Sequence, residues 1–332
     1  MNTVTKNHSS STTKNTPTYD TAMAEEVLKG LQATQKYLPS KYFYDGIGDE
    51  LFQKIMAMEE YYLTDCEMQV FREQATEIFK MLFGDDQHAF DVVEFGAGDG
   101  TKTRVLLKYF LEKQLDFSYL PIDISENVLE QLSLSLKKEL PALDVQPMAM
   151  DYFKALEQLQ SKSKKKVVFF LGSNIGNLTR EDTVKFLQQL SQKLNKGDML
   201  LMGMDLKKSP ATILQAYDDQ KGITRDFNMN LLERLNKELG ADFQVENFQH
   251  FPSYNPLTGE TKSFLVSKIK QSVHFSLLGK TVHFEAWEAI YTELSKKYDL
   301  KEIQQIAQET GFEVKQHFFD DRQYYVDTLW VV

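Results

Sequence analysis

The sequence contains the segment Phe90-Asp91-Val92-Val93-Glu94-Phe95-Gly96-Ala97-Gly98-Asp99-Gly100, which predicts a strand followed by a tight turn. An apolar run at residues 90–95 leads into a turn with glycine at positions 96, 98 and 100. Glycine adopts positive φ at little cost and lets a ligand approach the backbone, so this turn predicts a binding loop at a strand end. The third glycine comes one residue too early for the dinucleotide fingerprint G-x-G-x-x-G. Glu94, just before the turn, suits a ligand with an ammonium and a sulfonium better than a pyrophosphate, which prefers bare N–H groups.

Strands and helices alternate on the C-terminal side of this turn. Strands are predicted at residues 117–122, 145–149, 167–171 and 198–204, with helices at 102–113, 126–140 and 179–194. This alternation over short spacings is typical of an α/β protein with a doubly wound parallel sheet. Because the crossovers are right-handed, ligands bind such sheets at the carboxyl ends of the strands.

Polar residues follow these strands, at the edge of the sheet where a ligand is expected. Besides Glu94 and the glycine turn, they are Asp123, Asp151, the segment 172–177 and Asp205. Asp123 lies about 20 residues past the glycines, where a carboxylate can bond ribose hydroxyls, although a residue that only terminates the strand fits equally well. Asp151 would accept from an adenine amino group while Tyr152 covers the ring, and the alternative is a turn aspartate.

The remaining segments complete this sheet and predict a second, smaller α+β lobe. Helices are expected at residues 21–34, 49–56, 64–83, 210–217, 223–239 and 300–310, hairpin strands within 243–284, and a closing hairpin at 312–319 and 324–331. Thr64, with Glu67 three residues on, has the pattern of a helix N-cap. We predict a disordered tail at residues 1–18, a substrate-binding lobe from 19–70 plus 206–297, and a cofactor-binding domain from 71–205 plus 298–332.

Composition and charge exclude several classes of protein. The net charge of −10 argues against a nucleic-acid binder, and we interpret the basic run Lys162, Lys164, Lys165 and Lys166 as a solvated loop before a strand. The single cysteine, Cys66, allows no disulfide framework and fits a reducing cytoplasm. The six histidines show no ligand spacing, so no metal is expected. We also expect no membrane span and no signal peptide, and a monomer or weak homodimer.

Several short motifs occur in a fixed order along the chain. They are Lys41-Tyr42-Phe43-Tyr44-Asp45, Glu60-Tyr61-Tyr62-x-Thr64, Gly96-x-Gly98-x-x-x-Lys102-Thr103-Arg104, Pro121–Ser125, Gly172–Leu178, Asp205–Lys208, Ala216–Asp219, Phe227-Asn228-x-Asn230-Leu231-Leu232 and Thr292–Tyr298. This set, from about residue 38 to 300 and more weakly to the end, resembles the histidine Nα-methyltransferase family of ergothioneine biosynthesis. The resemblance implies a Rossmann-like class I methyltransferase that uses S-adenosylmethionine. Its acceptor would be the α-amino group of a free amino acid, with histidine favoured.

The resemblance also implies a role for each site residue. S-adenosylmethionine would be held by Gly96, Lys102, Asp123, Asp151 and Tyr152, together with Glu94 and Gly98 of the glycine turn. The ammonium and carboxylate of the amino acid would be surrounded by Tyr44, Tyr61, Gly172, Asn177 and Tyr217, with Asn177 bonding the α-amino group. Glu293 and Ser295 would hydrogen-bond the imidazole, and the smaller lobe would close over the substrate.

Structural alternatives stay open at several of these positions. One or two of the three tyrosines could simply pack, and Tyr42 or Phe43 could take the place of Tyr44. Glu293 and Ser295 could form a solvated strand edge. Ser263 stands where histidine-specific members carry methionine, which would change the wall of the pocket opposite the Glu-x-Ser pair.

The implied chemistry is an in-line methyl transfer from a sulfonium to an amine. The amine must be neutral to attack, so the enzyme has to position it while one proton leaves to solvent or to a hydroxyl such as that of Tyr44. Tyr44 and Asn177 are therefore the predicted catalytic residues. The alternatives are a different amino acid or derivative as acceptor, a nicotinamide oxidoreductase on the same sheet, and a non-catalytic cofactor-binding partner protein.

Overall fold

The computed structural model describes residues 19–84, 89–158 and 164–332, so the predicted tail at 1–18 and Lys162 lie outside the described residues. The strands are β1 Phe90–Phe95, β2 Phe117–Asp123, β3 Asp144–Val145, β4 Met148–Ala149, β5 Lys165–Phe170, β6 Met199–Asp205, β7 Phe248–Asn255, β8 Glu260–Ser267, β9 Gln271–Phe275, β10 Lys280–Phe284, β11 Ala289–Lys296, β12 Glu313–Phe319 and β13 Tyr325–Val331. The α-helices are α1 Thr21–Leu31, α2 Gly46–Met56, α3 Tyr62–Phe83, α4 Thr103–Glu112, α5 Glu126–Glu139, α6 Tyr152–Gln158, α7 Arg180–Lys193, α8 Pro210–Gln215, α9 Ile223–Leu239 and α10 Leu300–Glu309. Short 3-10 helices lie at Ser40–Phe43, Asn174–Asn177 and Val245–Asn247.

The central sheet has the predicted doubly wound topology. Among the described residues, eight strands form it in the order β12-β13-β6-β5-β1-β2-β3, with β4 also paired to β2. The pairs β1–β2, β1–β5 and β5–β6 are parallel, whereas β13 runs antiparallel to β6 and pairs with β12 in the closing hairpin. The chain therefore leaves β1 towards one edge and returns to fill the other side from β5, which puts the switch point at the end of β1.

Apolar side chains cover both faces of this sheet. One face packs against α3, α4 and α5 through residues such as Phe71, Leu107 and Leu132, and the other packs against α7 and α10 through Phe186 and Ile303. Every residue of β1 is buried. Strands that are buried on both faces appear in a sequence as nearly continuous apolar runs, which is why β1 could be predicted to the residue.

A second, smaller α+β lobe lies beside this sheet, as predicted. It contains the antiparallel sheet β11-β8-β7 and the hairpin β10-β9. These strands share a core with α1, α2 and α9 through residues such as Phe43, Phe227, Leu265 and Ile290. The division of the chain between the two lobes stays a prediction, and the predicted boundary at residue 70 falls inside α3.

The predicted N-cap at Thr64 is wrong, because α3 begins two residues earlier, at Tyr62. The residue in the cap position, Tyr61, makes no side-chain capping bond. Tyr62 is buried and its hydroxyl donates a 2.9 Å hydrogen bond to Asp205. Tertiary packing, rather than a capping side chain, therefore sets the start of this helix.

Two further local predictions need correction. The single strand predicted at 145–149 is divided into β3 and β4, because Pro147 lies between them and has no amide to donate. The solvated loop predicted for the basic run is wrong at Lys165 and Lys166, which begin β5. Lys166 is buried, with its amine 3.9 Å from the carboxylate of Asp198.

Across the parts of the chain that the structure describes, no helix has the length and apolar character needed to cross a membrane.

Candidate active site

The glycine turn after β1 has the backbone that its sequence predicts. Gly96, Gly98 and Gly100 have φ values of +71°, +55° and +66°. A Cβ atom at Gly96 would lie 2.3 Å from the side-chain nitrogen of Asn174 and 2.6 Å from the hydroxyl of Tyr152. Glycine is therefore required at position 96 both by conformation and by space.

This turn borders a cavity of about 350 Å³ at the carboxyl ends of the parallel strands, which we call the larger cavity. The predicted site residues that line it are Tyr44, Tyr61, Glu94, Gly96, Gly98, Lys102, Asp123, Asp151, Tyr152, Gly172 and Asn177. Helix α2 of the smaller lobe covers it with Asp49, Phe52 and Gln53. Residues that are distant in the sequence are thus brought together at the predicted edge of the sheet.

Asp123 lies at the end of β2, next to the glycine turn. Its Oδ2 accepts a hydrogen bond of 2.9 Å from the amide of Gly98, and its Oδ1 accepts one of 3.0 Å from the amide of Ser125. Burial raises the pKa of Asp123 above its ordinary value, and the amide hydrogen bonds counter part of that rise. Each carboxylate oxygen has a further lone pair, so Asp123 can still accept from hydroxyl groups in the larger cavity.

Glu94 borders the larger cavity, but its carboxyl group is held by protein donors. Thr103 donates to one oxygen at 2.5 Å, and the hydroxyl of Tyr119 donates to the other. Burial raises the pKa of Glu94 to about 8. A pKa of about 8 favours the protonated form at neutral pH, and in that form one of the two hydroxyls accepts from the carboxyl group instead of donating to it.

Asp151 and Tyr152 take different positions at the mouth of the larger cavity. Asp151 accepts from the amides of Phe153 and Lys154 at 3.1 and 3.0 Å, so it makes the turn contacts that the sequence left as an alternative. Burial would raise the pKa of Asp151, but the hydrogen bonds and charge of Lys154 hold it below its ordinary value. The ring of Tyr152 packs edge-on against Phe170 at 5.1 Å and forms part of the cavity wall.

Lys102 is held next to Gly172 by a carboxylate that was not predicted to belong to the site. Its amine forms an ion pair with Glu67, a fully buried residue of α3. The second oxygen of Glu67 accepts from the amide of Gly172 at 2.8 Å and from the hydroxyl of Tyr325 at 2.7 Å. Glu67 therefore links α3, the start of α4, the loop after β5 and β13 behind the larger cavity.

A smaller cavity of about 40 Å³ adjoins the larger one and shares part of its wall. The shared residues include Tyr44, Tyr61, Gly172 and Asn177. Beyond them the smaller cavity is lined by Tyr217, Glu293 and Ser295, with Thr224 and Phe227. The structure thus brings the two predicted groups of residues together around two connected spaces.

The aromatic segment before α2 directs Tyr44, rather than its neighbours, towards the cavities. The hydroxyl of Tyr42 donates to Glu26 at 2.9 Å, and the ring of Phe43 packs against Phe227 at 4.7 Å. Both side chains are therefore part of the core of the smaller lobe. Burial, with the charge of Glu293 next in effect, raises the pKa of Tyr44 well above its ordinary value, so its phenol stays protonated.

Glu293 and Ser295 do not form a solvated strand edge, because both line the smaller cavity. Burial raises the pKa of Glu293 to about 7, and the charge of Lys297 opposes that rise. The hydroxyl of Ser295 contacts Tyr217 at 2.7 Å and Lys297 at 2.8 Å.

Ser263 is placed differently from the prediction. It lies on β8 directly beside Glu293 of the neighbouring strand, on the same face of the sheet, and not on an opposite wall. Its side chain is buried, and Ser263 lines neither of the two cavities. The position differs because β8 and β11 are hydrogen-bonded neighbours, which puts Ser263 beside Glu293 instead of across the cavity from it.

Asn177 ends the 3-10 helix after β5 and is exposed at the border of both cavities. It does not cap the helix that follows. Thr179 takes that role, since its hydroxyl accepts from the amide of Asp182 at 3.1 Å. The side chain of Asn177 is therefore available to a ligand.

Possible metal ligands and the single thiol are two further features of the described residues. Within residues 19–84, 89–158 and 164–332, no group of three or more His, Cys, Asp or Glu side chains could hold a metal ion. Cys66 is buried, and burial raises the pKa of its thiol to about 12. A thiol with that pKa is a poor nucleophile at neutral pH.

Sequence reasoning gave no site role to Lys297, Glu67 or Asp205. It noted Asp205 as a polar strand end and as part of a motif, and Glu67 as part of a capping pattern. All three are fully buried charged residues, which are rare unless they are paired. Their partners are distant in the sequence. The available signal was indirect: Asp205 follows a strand, and Lys297 lies in the same motif as Glu293 and Ser295.

Comparisons with known proteins show similarity to one family of methyltransferases. The family described as histidine-specific methyltransferase, SAM-dependent, matches residues 23–332. The histidine N-alpha-methyltransferase of Mycolicibacterium smegmatis is 34% identical over 300 residues, which cover 90% of this chain and 91% of that protein. The protein of the same name from Mycobacterium tuberculosis is 35% identical over 277 residues, covering 83% and 84%. An L-tryptophan methyltransferase of Psilocybe serbica is 25% identical over 333 residues, covering 93% and 92%.

The family match extends over most of the chain, and the mycobacterial relatives align along most of their own length. The glycine turn, Asp123 and the segment from Gly172 to Asn177 border one cavity, at the place where the doubly wound sheet binds ligands. S-adenosylmethionine is the cofactor of this enzyme, and the chain belongs to the family of histidine-specific, S-adenosylmethionine-dependent methyltransferases.

Proposed function

We propose that this enzyme transfers a methyl group from S-adenosylmethionine to the α-amino nitrogen of free histidine. The observation that carries the choice of acceptor is the smaller cavity, where Glu293 and Ser295 lie beside the wall shared with the larger cavity. A carboxylate that accepts and a hydroxyl that can donate match the two nitrogens of a neutral imidazole. The similarity to two mycobacterial proteins named histidine N-alpha-methyltransferase supports the same acceptor.

The larger cavity has features that fit the cofactor. Its volume of about 350 Å³ lies in the usual range for small-molecule sites, and a Cβ at Gly98 would meet nothing within 4 Å, so a ligand can approach that backbone. We propose that Asp123 bonds the ribose hydroxyls and that Asp151 accepts from the adenine amino group. Lys102 carries the charge that complements the carboxylate of the methionine part.

The acceptor amine would lie between the two cavities, where their walls are shared. Bound S-adenosylmethionine supplies an electrophilic methyl group on its sulfonium. We propose that the side-chain oxygen of Asn177 accepts from the α-amino group, and that Tyr44 and Tyr61 hold the backbone part of the amino acid. Because burial keeps the phenol of Tyr44 protonated, it would orient the amine, and the proton would leave to solvent past the exposed Asn177.

Three wider properties belong to this proposal. The smaller lobe, built from residues 19–70 and 206–297, would close on the cofactor-binding domain after substrate binds. The enzyme would act in the cytoplasm, since its single cysteine gives no disulfide framework. It would act as a monomer or weak homodimer on a small molecule, and the net charge of −10 disfavours nucleic acid as a partner.

Mass spectrometry tests the choice of acceptor. The enzyme would be incubated with isotopically labelled S-adenosylmethionine and an equimolar mixture of the twenty amino acids. We expect label on histidine far above every other amino acid. Label on tryptophan or another amino acid, or on none, would overturn the choice of acceptor.

Activity should also survive a strong chelator. Loss of activity that is recovered on adding zinc would contradict a metal-free reaction.

A further inference from the structure

We propose that Lys297 is a positioning residue that sets the direction of the hydrogen bonds in the smaller cavity, so that Ser295 can only donate to a bound ligand. The inference rests on the proposed function in one respect, namely that the smaller cavity binds the acceptor's side chain. It adds Lys297 to the site, and it gives a reason why the site would recognise the neutral form of the imidazole.

Lys297 is fully buried, and its amine has three partners. It donates to Tyr217 at 2.7 Å and to Ser295 at 2.8 Å, and it forms an ion pair with Asp205 at 2.8 Å. An ammonium group has three donors and no acceptor, so these contacts use its full hydrogen-bonding capacity.

Asp205 supplies the counter-charge that such a buried ammonium needs. It is itself fully buried, at the end of β6, and is also paired with Lys208. The hydroxyl of Tyr62 donates to it at 2.9 Å. Burial alone would raise the pKa of Asp205, but Lys297 and Lys208 hold it below its ordinary value, so the carboxylate is charged.

Lys297 fixes the direction of its own two bonds to hydroxyls, and the geometry of the contact between Tyr217 and Ser295 fixes the third. The ammonium of Lys297 can only donate, so both hydroxyls accept from it. The hydroxyl of Tyr217 then uses its own hydrogen to donate to Ser295 at 2.7 Å. Ser295 thus accepts twice, which occupies both of its lone pairs, and only its own hydrogen is left for a ligand.

The smaller cavity therefore offers a ligand one donor, from Ser295, and one acceptor, from Glu293 when it is ionised. A neutral imidazole has the matching pair, one N–H and one bare nitrogen. An imidazolium or an indole has no bare ring nitrogen and would leave the hydrogen of Ser295 unpaired. Leaving a buried polar group unpaired costs more than a normal hydrogen bond contributes, so this pattern selects strongly.

A double-mutant cycle on Lys297 and Ser295 tests whether Lys297 acts through Ser295. The variants are Lys297→Met, Ser295→Ala and the double variant, with Lys296→Met as the matched control. The amine of Lys296 lies outside the two cavities, 2.7 Å from Glu302. Histidine binding would be measured by calorimetry with S-adenosylhomocysteine present, together with kcat and KM for histidine and the Kd of S-adenosylhomocysteine.

We expect each single substitution to weaken histidine binding about tenfold, as for one lost hydrogen bond to a charged or buried group, and to raise KM more than it lowers kcat. The double variant should be no more than about twofold weaker than the worse single variant, because Lys297→Met frees the Ser295 hydroxyl from its fixed direction and Ser295→Ala removes that same hydroxyl. Lys296→Met, and the Kd of S-adenosylhomocysteine in every variant, should stay within about twofold of the parent. The proposal would be overturned if the two single losses of histidine affinity multiplied in the double variant. It would also be overturned if Lys297→Met bound histidine as tightly as the parent.

A second pair of substitutions covers loss of folding. If Lys297→Met leaves Asp205 too poorly neutralised to fold, Asp205→Asn combined with Lys297→Met removes the buried pair together, which proteins tolerate better. The same coupling with Ser295→Ala is expected in that background, and additive effects there would equally overturn the proposal. Absence of histidine methylation in the parent enzyme would count against the proposed function itself, whereas methylation with additive effects would count against Lys297 alone.

Discussion

The amide of Gly98 donates a 2.9 Å hydrogen bond to the carboxylate of Asp123, which joins the glycine turn after β1 to the end of β2. Asp123 therefore has two tasks: it fixes the shape of the turn, and it faces the larger cavity with its remaining lone pairs. The position at which the cofactor would bind is thus set by a contact between two successive strand ends.

Asp123→Ala should weaken binding of S-adenosylmethionine and S-adenosylhomocysteine alike. The loss of a charged hydrogen-bond acceptor should cost about 1.5–3 kcal/mol of binding free energy. Calorimetry measures this loss, with Asp144→Ala, an exposed aspartate on β3, as the control. Unchanged affinity in Asp123→Ala would remove this residue from the cofactor site.

Glu67→Gln should destabilise the protein strongly, because it leaves the partly buried amine of Lys102 without its counter-charge. Breaking a buried pair from one side costs on the order of 3–5 kcal/mol of the free energy of unfolding. Urea denaturation would measure that cost, and the double variant Glu67→Gln/Lys102→Met should recover part of it. A double variant as unstable as the sum of the two single variants would show that the pair is not coupled.

Asn177→Ala should lower kcat/KM for histidine far more than it lowers cofactor affinity. Its side chain is exposed to the cavities, while Thr179 caps α7, so the melting temperature should hold. Thr179→Ala is the contrasting variant: it should lower the melting temperature, since a lost N-cap costs about 1 kcal/mol, with little change in activity per folded molecule. The reverse pattern would assign Asn177 a structural role only.

Glu94 should make the ligand-free protein less stable as pH rises. Burial raises its pKa from 4.5 to about 8, so between these values the folded chain holds a proton that the unfolded chain has lost. The free energy of unfolding therefore falls with rising pH across that window. Glu94→Gln resembles the protonated form of Glu94. The melting temperature of this variant, relative to that of the parent, should therefore rise as pH increases from about 5 to about 8.

The control for this pH dependence is Glu313→Gln, which changes an exposed carboxylate on β12. Its difference in melting temperature from the parent should not vary with pH over that range. A difference between Glu94→Gln and the parent that stays constant or shrinks as pH rises would show that the folded-state pKa of Glu94 is not raised.

Glu293→Gln should weaken histidine binding at least tenfold, since an amide is a weaker acceptor than a carboxylate for a ring N–H. Binding should be measured at about pH 8, above the raised pKa of about 7, where Glu293 is ionised in the parent.

Ser263→Met should instead act mainly on stability, because an added side chain in a buried site costs about 1–3 kcal/mol. Tighter histidine binding in Ser263→Met would show that position 263 reaches the pocket after all.

The fold could largely be predicted from the sequence, because the buried strands are apolar runs that end in glycine or aspartate. β1 was predicted to the residue, and β6 was predicted one residue early, at 198–204 instead of Met199–Asp205. The errors have local physical causes: Pro147 interrupts the third strand, and buried Tyr62 sets the start of α3 in place of Thr64.

The groups behind the site could not be predicted, because their partners are distant in the chain. Glu67 binds the amide of Gly172, 105 residues away, and Lys297 binds the hydroxyl of Tyr217, 80 residues away. No periodic pattern marks a charged residue as buried. Only the folded structure shows that Glu67 lies behind Lys102 and that Lys297 lies behind Ser295.

The position of the transferred methyl group shows directly whether the enzyme methylates the α-nitrogen of histidine. Histidine would be incubated with the enzyme and S-adenosylmethionine labelled with ¹³C in its methyl group, and the product would be analysed by NMR and fragmentation mass spectrometry. We predict that the label lies on the α-nitrogen, with the imidazole unmodified. Label on a ring nitrogen, or no transfer to histidine, would show that the enzyme is not a histidine Nα-methyltransferase.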